Sequence, residues 1–298
     1  MPSRRLGMSL GVSPIPKKTC NYSCIYCQLG RTNHMINTRQ IFYPVEEIIE
    51  ELKHSLFTKA NFDVVTIVGE GEPTLYLKLG KLIDEIHKRT EKPVAVITNG
   101  ALLYDKQVQS ELRKADIVLP SLDAYDERSF IEINRPHRSL KYDDVCMGLI
   151  DFSKEYQGQL WIEVMLMKGI NDNQESFKKY AKILEKIKYN KLYLNTPVRP
   201  PAEYGINPVS NEKMKIATEM LGGISIDMLA SIGFYSEISD DYEAILSIIK
   251  RHPMNHYEIE EFLKLRKCTD IVKIFHRLKN DEMVVTIDYK GFFTYRLK

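Results

Sequence analysis

The stretch KKTCNYSCIYCQLGRT, residues 17–32, carries Cys20, Cys24 and Cys27, with three residues in the first gap and two in the second. Thiolates are soft ligands, suited to zinc, copper(I) or an iron–sulfur cluster. Three of them are one short of a closed tetrahedral zinc site and one too many for a disulfide. A zinc site would have to recruit His34, seven residues after Cys27, as its fourth ligand. Cys146 and Cys268 lie far away in apolar patterns and read as buried small hydrophobes. A total of five cysteines, odd and sparse, fits a reducing cytoplasm better than a secreted disulfide framework.

Further polar and glycine-bearing words recur along the chain: GEGEPT (69–74), TNG (98–100), SLDA (121–124), KGINDN (168–173) and NTPVRPPAE (195–203). Each follows a short β-rich apolar run, and helical patterns such as VEEIIEELKHSLF (45–57) and ESFKKYAKILEKI (175–187) fill the intervals. Strict alternation of this kind specifies right-handed βαβ units, hence a parallel sheet covered by helices. With a first strand near Met8–Val12 the count is six β/α units, too few to close an eightfold barrel. A partial barrel or a doubly wound sheet remains, and in both designs ligands collect at the carboxyl ends of the strands, where all these words fall.

A chain of 298 residues, 44% apolar and 28% charged, has room for a barrel-sized core and a modest appendage. A formal charge of +2 is too mild to imply nucleic-acid binding. No run approaches the roughly 20 apolar residues of a spanning helix, and MPSRRLGMSL lacks the apolar region of a signal peptide. A cytoplasmic protein without membrane contact is expected.

CxxxCxxC with Tyr26 just before its third cysteine resembles the cluster-binding loop of the radical S-adenosylmethionine (SAM) superfamily. The resemblance implies an α/β fold, a partial (β/α)6 barrel. Cys20, Cys24 and Cys27 would hold three irons of a [4Fe–4S] cluster, whose open fourth iron is chelated by SAM. Tyr26 would then face the adenine. GEGEP resembles the Gly-Gly-Glu-Pro segment that holds the methionine amino group. Gly71, Glu72 and Pro73 match it, whereas Glu70 stands where the first glycine usually lies, so its side chain must turn aside. Further round the rim the same resemblance nominates Asn99 of TNG, Ser121 or Asp123 of SLDA, and Glu163 as cofactor contacts. Asn171 of KGINDN would support SAM. Helix capping is the alternative for the strand-end residues. The implied reaction is one-electron cleavage of SAM to a 5′-deoxyadenosyl radical that abstracts hydrogen from a substrate. A flavodoxin- or ferredoxin-like protein would supply the electron.

Taken with INRPH, VMLMKGIND and LNTPVRPPAE, the first two hundred or so residues resemble a prokaryotic radical SAM family grouped with the enzymes that build the wyosine base of tRNA. That points to RNA modification, with a protein, peptide or metabolite as the alternative substrate. Wyosine-forming enzymes carry a second cluster, and Cys146 and Cys268 cannot supply its ligands, which argues against pyruvate condensation here. Arg4, Arg5, Arg135, His137, Arg138 and Arg199 are candidate anion binders at the rim, with Arg199 favoured because prolines fix its loop.

The Pro-rich piece after Asn195 is expected to end the core, giving a core over 1–200, an extension over 201–240 and a third unit over 241–298. The last unit reads as three helices and a β-hairpin around DYKG, the order of a winged helix. Its third helix offers Lys273, His276, Arg277 and Lys279 as a phosphate-facing stripe, although acidic residues of the same unit nearly cancel that charge and protein docking or a plain structural role is the alternative. The rival to an enzyme is a metal-sensing regulator with a cysteine switch and a DNA-reading winged helix. It leaves GEGEP, TNG and KGIND without a purpose.

Overall fold

β-Branched runs bounded by turn-forming words fold as the strands of one sheet. The computed structural model describes residues 2–57, 62–226, 234, 236, 238–250, 252–289 and 292–298. In it β1 (Gly7–Val12), β2 (Val64–Ile67), β3 (Val94–Thr98), β4 (Ile117–Pro120), β5 (Gln159–Met165) and β6 (Lys191–Asn195) lie side by side in chain order. Every neighbouring pair among them is parallel. Helices α1 (Val45–Phe57), α2 (Leu79–His87), α3 (Lys106–Leu112), α4 (Tyr142–Glu155) and α5 (Gln174–Leu184) occupy the crossovers. Because strand order never reverses, the sheet winds one way and curls into a half-barrel instead of the doubly wound alternative.

Both faces of the strands are covered, as parallel sheets require. Val65 and Ile67 of β2 are fully buried in the core beneath the helices, while Val64, Ala95, Leu119, Trp161 and Tyr193 pack together on the other face. Cys146 is half-buried against the main core, in keeping with its sequence reading.

The stretch expected as an extension adds to the half-barrel. Ser210 caps α6 (Asn211–Leu221), Gly222 ends it at φ 70°, and β7 (Ile224–Ser225) pairs in parallel with β6. A serine before a helix and a glycine after it are favoured boundary residues, the first as a side-chain acceptor and the second for its left-handed backbone.

Beyond it come α7 (Asp241–Ile249), β8 (Met254–Asn255), α8 (His256–Leu265), α9 (Ile271–Asn280), β9 (Val284–Tyr289) and β10 (Phe292–Leu297). In the antiparallel sheet they form, β10 lies between β8 and β9. Ile245, Ile248, Phe262, Leu263 and Leu278 build a second core there, against which half-buried Cys268 packs. Lys290 and Gly291 of the expected DYKG turn lie outside the described residues. The basic stripe on α9 is not wholly free, since the Arg277 guanidinium sits 3.7 Å over the Tyr242 ring. Among the described residues no helix is long and apolar enough to cross a membrane.

Hydrogen bonds between described residues fasten this second unit to the half-barrel. Arg199 donates to both carboxylate oxygens of Glu258 at 3.2 Å, Tyr289 donates its hydroxyl proton to the Pro197 carbonyl at 2.7 Å, and Lys17 Nζ donates to the Lys298 carbonyl at 3.4 Å.

Candidate cluster and cofactor site

The cysteine loop leaves β1 and runs over the carboxyl ends of the neighbouring strands. Its course is fixed from two sides. Residues 133–137 run beside it: Ser23 and Ile25 donate to the carbonyls of Asn134 and Ile133 at 3.0 Å each, and His137 N–H donates to Asn21 O at 2.8 Å. From the other side Lys18 N–H donates to Glu70 O at 2.5 Å, and Glu72 N–H donates to Thr19 O at 3.0 Å. All three thiols are free and half-buried.

Amide donors already aim at two of the sulfurs. Cys20 Sγ accepts from Tyr22 N–H at 3.4 Å and from Asn99 Nδ2 at 3.6 Å, and Cys24 Sγ accepts from Asn134 Nδ2 at 3.5 Å. Asn99 is held in turn by Asn21 Oδ1 at 2.7 Å. Burial pushes the Cys20 thiol up to about 12, with the Glu72 carboxylate adding to the shift, and burial also raises Cys24 and Cys27. Metal ligation reverses such a preference by stabilising the thiolate. His34, the fourth ligand that zinc would need, is exposed on a two-residue strand paired with Thr19–Cys20. Among the described residues no three His, Cys, Asp or Glu side chains converge on the position of a single metal ion.

The GEGEP segment forms the wall beside the loop. A Cβ on Gly71 would fall inside the van der Waals radius of the Thr19 carbonyl oxygen, so only glycine lets the two segments meet. Glu72 is buried, and its Oε1 accepts from Thr74 N at 2.9 Å, Thr74 Oγ1 at 2.6 Å and Thr98 Oγ1 at 2.6 Å, while Oε2 accepts from Asn99 N at 2.7 Å. It therefore ties the end of β2 to the end of β3. Pro73 opens the single helical turn that follows. Glu70 Oε1 is buried and has no hydrogen-bond partner among the described residues.

On the far side Asp123 is buried, accepting from the Tyr26 hydroxyl on one oxygen and from Met165 N–H at 2.9 Å on the other. The Tyr26 hydroxyl thus anchors the cysteine loop to the end of β4. Glu163 is paired with Arg5, and its oxygen accepts from Asn195 Nδ2 at 3.4 Å. Ser121 bridges to Glu163 through the backbone and lines a small cleft with Asn99, Asp123, Tyr22 and Cys146. Asn171 is fully buried, accepting from Met167 N at 2.7 Å and donating to Met165 O and Tyr180 Oη at 2.9 Å each. Its side chain braces the turn after β5.

Burial raises the Asp123 carboxyl to about 7, with Glu163 adding to the shift, against the pull of the Tyr26 and Met165 donors. From its ordinary 3.8 up to about 7, the folded chain holds a proton that the unfolded chain has released. Stability conferred by that proton is complete below the window and is lost as pH rises through it. Asp123→Asn should flatten this fall, by on the order of 2–4 kcal/mol between pH about 4 and 8. Urea midpoints of the metal-free protein across that range measure it.

Of the candidate anion binders, Arg135, His137 and Arg199 are engaged within the chain, as Arg5 is with Glu163. Arg135, at φ 45°, donates to Glu203 at 2.5 Å, and Arg31 grips the same carboxylate at 2.7 and 2.8 Å. His137 Nδ1 pairs with Ser139 Oγ at 2.8 Å. Arg199 does bind a carboxylate, but it is that of Glu258. Sequence reasoning missed Asn134 and Thr98, and it named Arg5 only as a candidate anion binder. The first two lie inside INRPH and TNG, whereas no local signal marks Arg5 as the partner of Glu163.

A half-barrel with three cysteines on the first loop and a Gly-Glu-Pro wall beside it defines a class. A profile described as the radical SAM superfamily matches residues 15–181, more than half of the chain, and the chain belongs to that superfamily and, within it, to the UPF0026 family. The second assignment rests on a UPF0026 protein of Methanocaldococcus jannaschii, 35% identical over 302 aligned positions that cover 98% of this chain and 92% of that one. A GTPase Obg of Brachyspira hyodysenteriae is 44% identical over 215 residues, 72% of this chain. The match spans only 32% of that relative's length. Among solved structures, TYW1 with a lysine–pyruvate adduct bound superposes with a TM-score of 0.54 at 22% identity, covering 73% of this chain and 74% of that one, a likeness of fold. The cofactors are those of the superfamily, a [4Fe–4S] cluster and SAM.

Proposed function

We propose that the chain is a radical SAM enzyme whose Cys20, Cys24 and Cys27 hold the cluster. The observation that carries this reading is the convergence of the cysteine loop, the glycine-bearing wall of Gly69–Pro73 and the Asn99 amide at one rim of the sheet. The residues fit the absent groups. Three thiols on one loop suit a ligand that offers each its own iron. The orphaned Glu70 Oε1 is a buried acceptor suited to the ammonium of SAM. The chemistry supplied by the bound pair is one-electron cleavage of a carbon–sulfur bond, giving a carbon radical that takes hydrogen from a second molecule.

The protein's own part is orientation and exclusion of water. Asn99 and Asn134 direct their amide protons at two sulfurs. Glu72 locks the wall through Thr98 and Asn99, and Asp123 holds Tyr26 over the rim. Electrons come from a one-electron donor of flavodoxin or ferredoxin type. RNA is the preferred substrate class in this reading, through the family's grouping with wyosine-forming enzymes, and a protein or peptide is the alternative.

Anaerobic reconstitution with iron and sulfide, followed by SAM and dithionite, should yield 5′-deoxyadenosine. A chain that takes up no cluster, or that loads one and leaves SAM intact, would sink the proposal. Binding of bulk tRNA by the loaded protein, weakened as salt rises, tests the substrate class separately.

A further inference from the structure

The last strand of the second unit brings a cation to the cysteine loop. Along β10, Tyr295 points into the second core and the next residue, Arg296, points the other way, as strand alternation requires. A Cβ built on Gly30 would lie 4.0 Å from Arg296 Nη1 and 3.4 Å from Lys18 Nζ, and Gly30 N–H donates to Cys27 O at 3.1 Å. Arg296 Nη1 is buried and has no hydrogen-bond partner among the described residues. A buried guanidinium nitrogen without an acceptor is costly unless an anion completes it. Pro197–Tyr289, Arg199–Glu258 and Lys17–Lys298 hold the hairpin in this place.

We propose that Arg296, delivered by the second unit, is the counter-charge of the occupied cluster on its Cys27 side and favours the cluster's reduction. This rests on the reading above that the three cysteines hold the cluster. A cluster bound by thiolates is anionic and becomes more so when it accepts an electron from the donor. A fixed cation in a partly buried position stabilises the reduced form more than the oxidised one. Arg296 would thus be a positioning residue: it touches no reacting atom and acts through the cluster's potential. The second unit, so placed, makes reducibility depend on its docking.

The test is a redox titration, followed by electron paramagnetic resonance, of the reconstituted full-length protein and its Arg296→Gln, Arg296→Met and Arg296→Lys variants at equal cluster content. At a fixed applied potential the reduced-to-oxidised ratio should fall about tenfold in the Gln and Met variants, about 59 mV for a one-electron couple. The Lys variant should stay near wild type, and Lys279→Gln, an exposed charge on α9, should not move the ratio. Arg296→Met keeps the side-chain stem, so one charge-free variant survives if the amide disturbs the hairpin. Equal potentials in wild type and both charge-free variants would overturn the inference and leave the cluster assignment standing. So would a Lys variant that shifts as far as Gln. A wild type that takes up no cluster would overturn both.

Discussion

Replacing Cys24 with alanine is expected to leave a folded chain that retains neither its cluster nor any 5′-deoxyadenosine formation above background. In the proposed site Cys24 is the middle ligand of three, while Cys146 and Cys268 pack against the apolar cores. The site has no spare ligand to lose. Its sulfur is also the one oriented by Asn134 Nδ2, at 3.5 Å. Removing that outer donor, as in Asn134→Ala, should cost roughly 10–100-fold in cluster affinity or activity, the usual penalty for a supporting hydrogen bond. Losing the ligand itself must cost more. Cys268→Ala, in the second core, should load normally. Iron and sulfide content, the visible absorption of the cluster and product analysis distinguish the three variants. A Cys24→Ala protein that keeps full SAM cleavage would remove the cysteines from the mechanism.

The second large effect is expected at Gly71. A methyl group there meets the Thr19 carbonyl oxygen, a backbone atom that cannot swing away as a side-chain end can. Relief requires separating the GEGEP wall from the cysteine loop, which breaks the Glu72–Thr19 bond of 3.0 Å and the Lys18–Glu70 bond of 2.5 Å. Gly71→Ala should lower stability by about 3 kcal/mol or more, the upper range of overpacking costs, and should impair cluster uptake. Gly11→Ala is the matched comparison. It lies in β1, where the nearest atom to an added Cβ is Val68 Cγ1 at 3.9 Å, so the change should stay within about 0.5 kcal/mol. Urea unfolding of the metal-free proteins decides the stability part. The expectation fails if Gly71→Ala and Gly11→Ala unfold together.

The two effects locate the function in different kinds of residue. Cys24 matters for the atom it offers, and Gly71 for the atoms it lacks. Both were visible as words in the sequence, and the first was given its chemistry by the resemblance of its motif to the cluster-binding loop of the radical SAM superfamily. The reason Gly71 must be glycine is the course of Thr19, which is set by strand packing.

What the chain determined by itself was whatever short-range rules control. The alternation of β-rich and helical runs specified the parallel sheet, and Val45–Phe57 and Asn211–Leu221 have the bounds their patterns and flanking residues imply. Strand ends gathered the chemistry-bearing words on one rim, because parallel βαβ units leave no other place for them. The spacing of the cysteines needed no fold to be recognised. Tertiary structure decided the partners. Glu72 reaches Thr98 and Asn99 across 26 and 27 residues, Arg199 reaches Glu258 across 59, and Asn134 reaches Cys24 across 110. Sequence patterns encode period and caps over a few residues, whereas a hydrogen bond across such distances depends on how strands and helices pack. For that reason Arg199 looked like a substrate anchor and proved to be a link between units. Arg296, unremarked in the sequence, comes to the cysteine loop at Gly30.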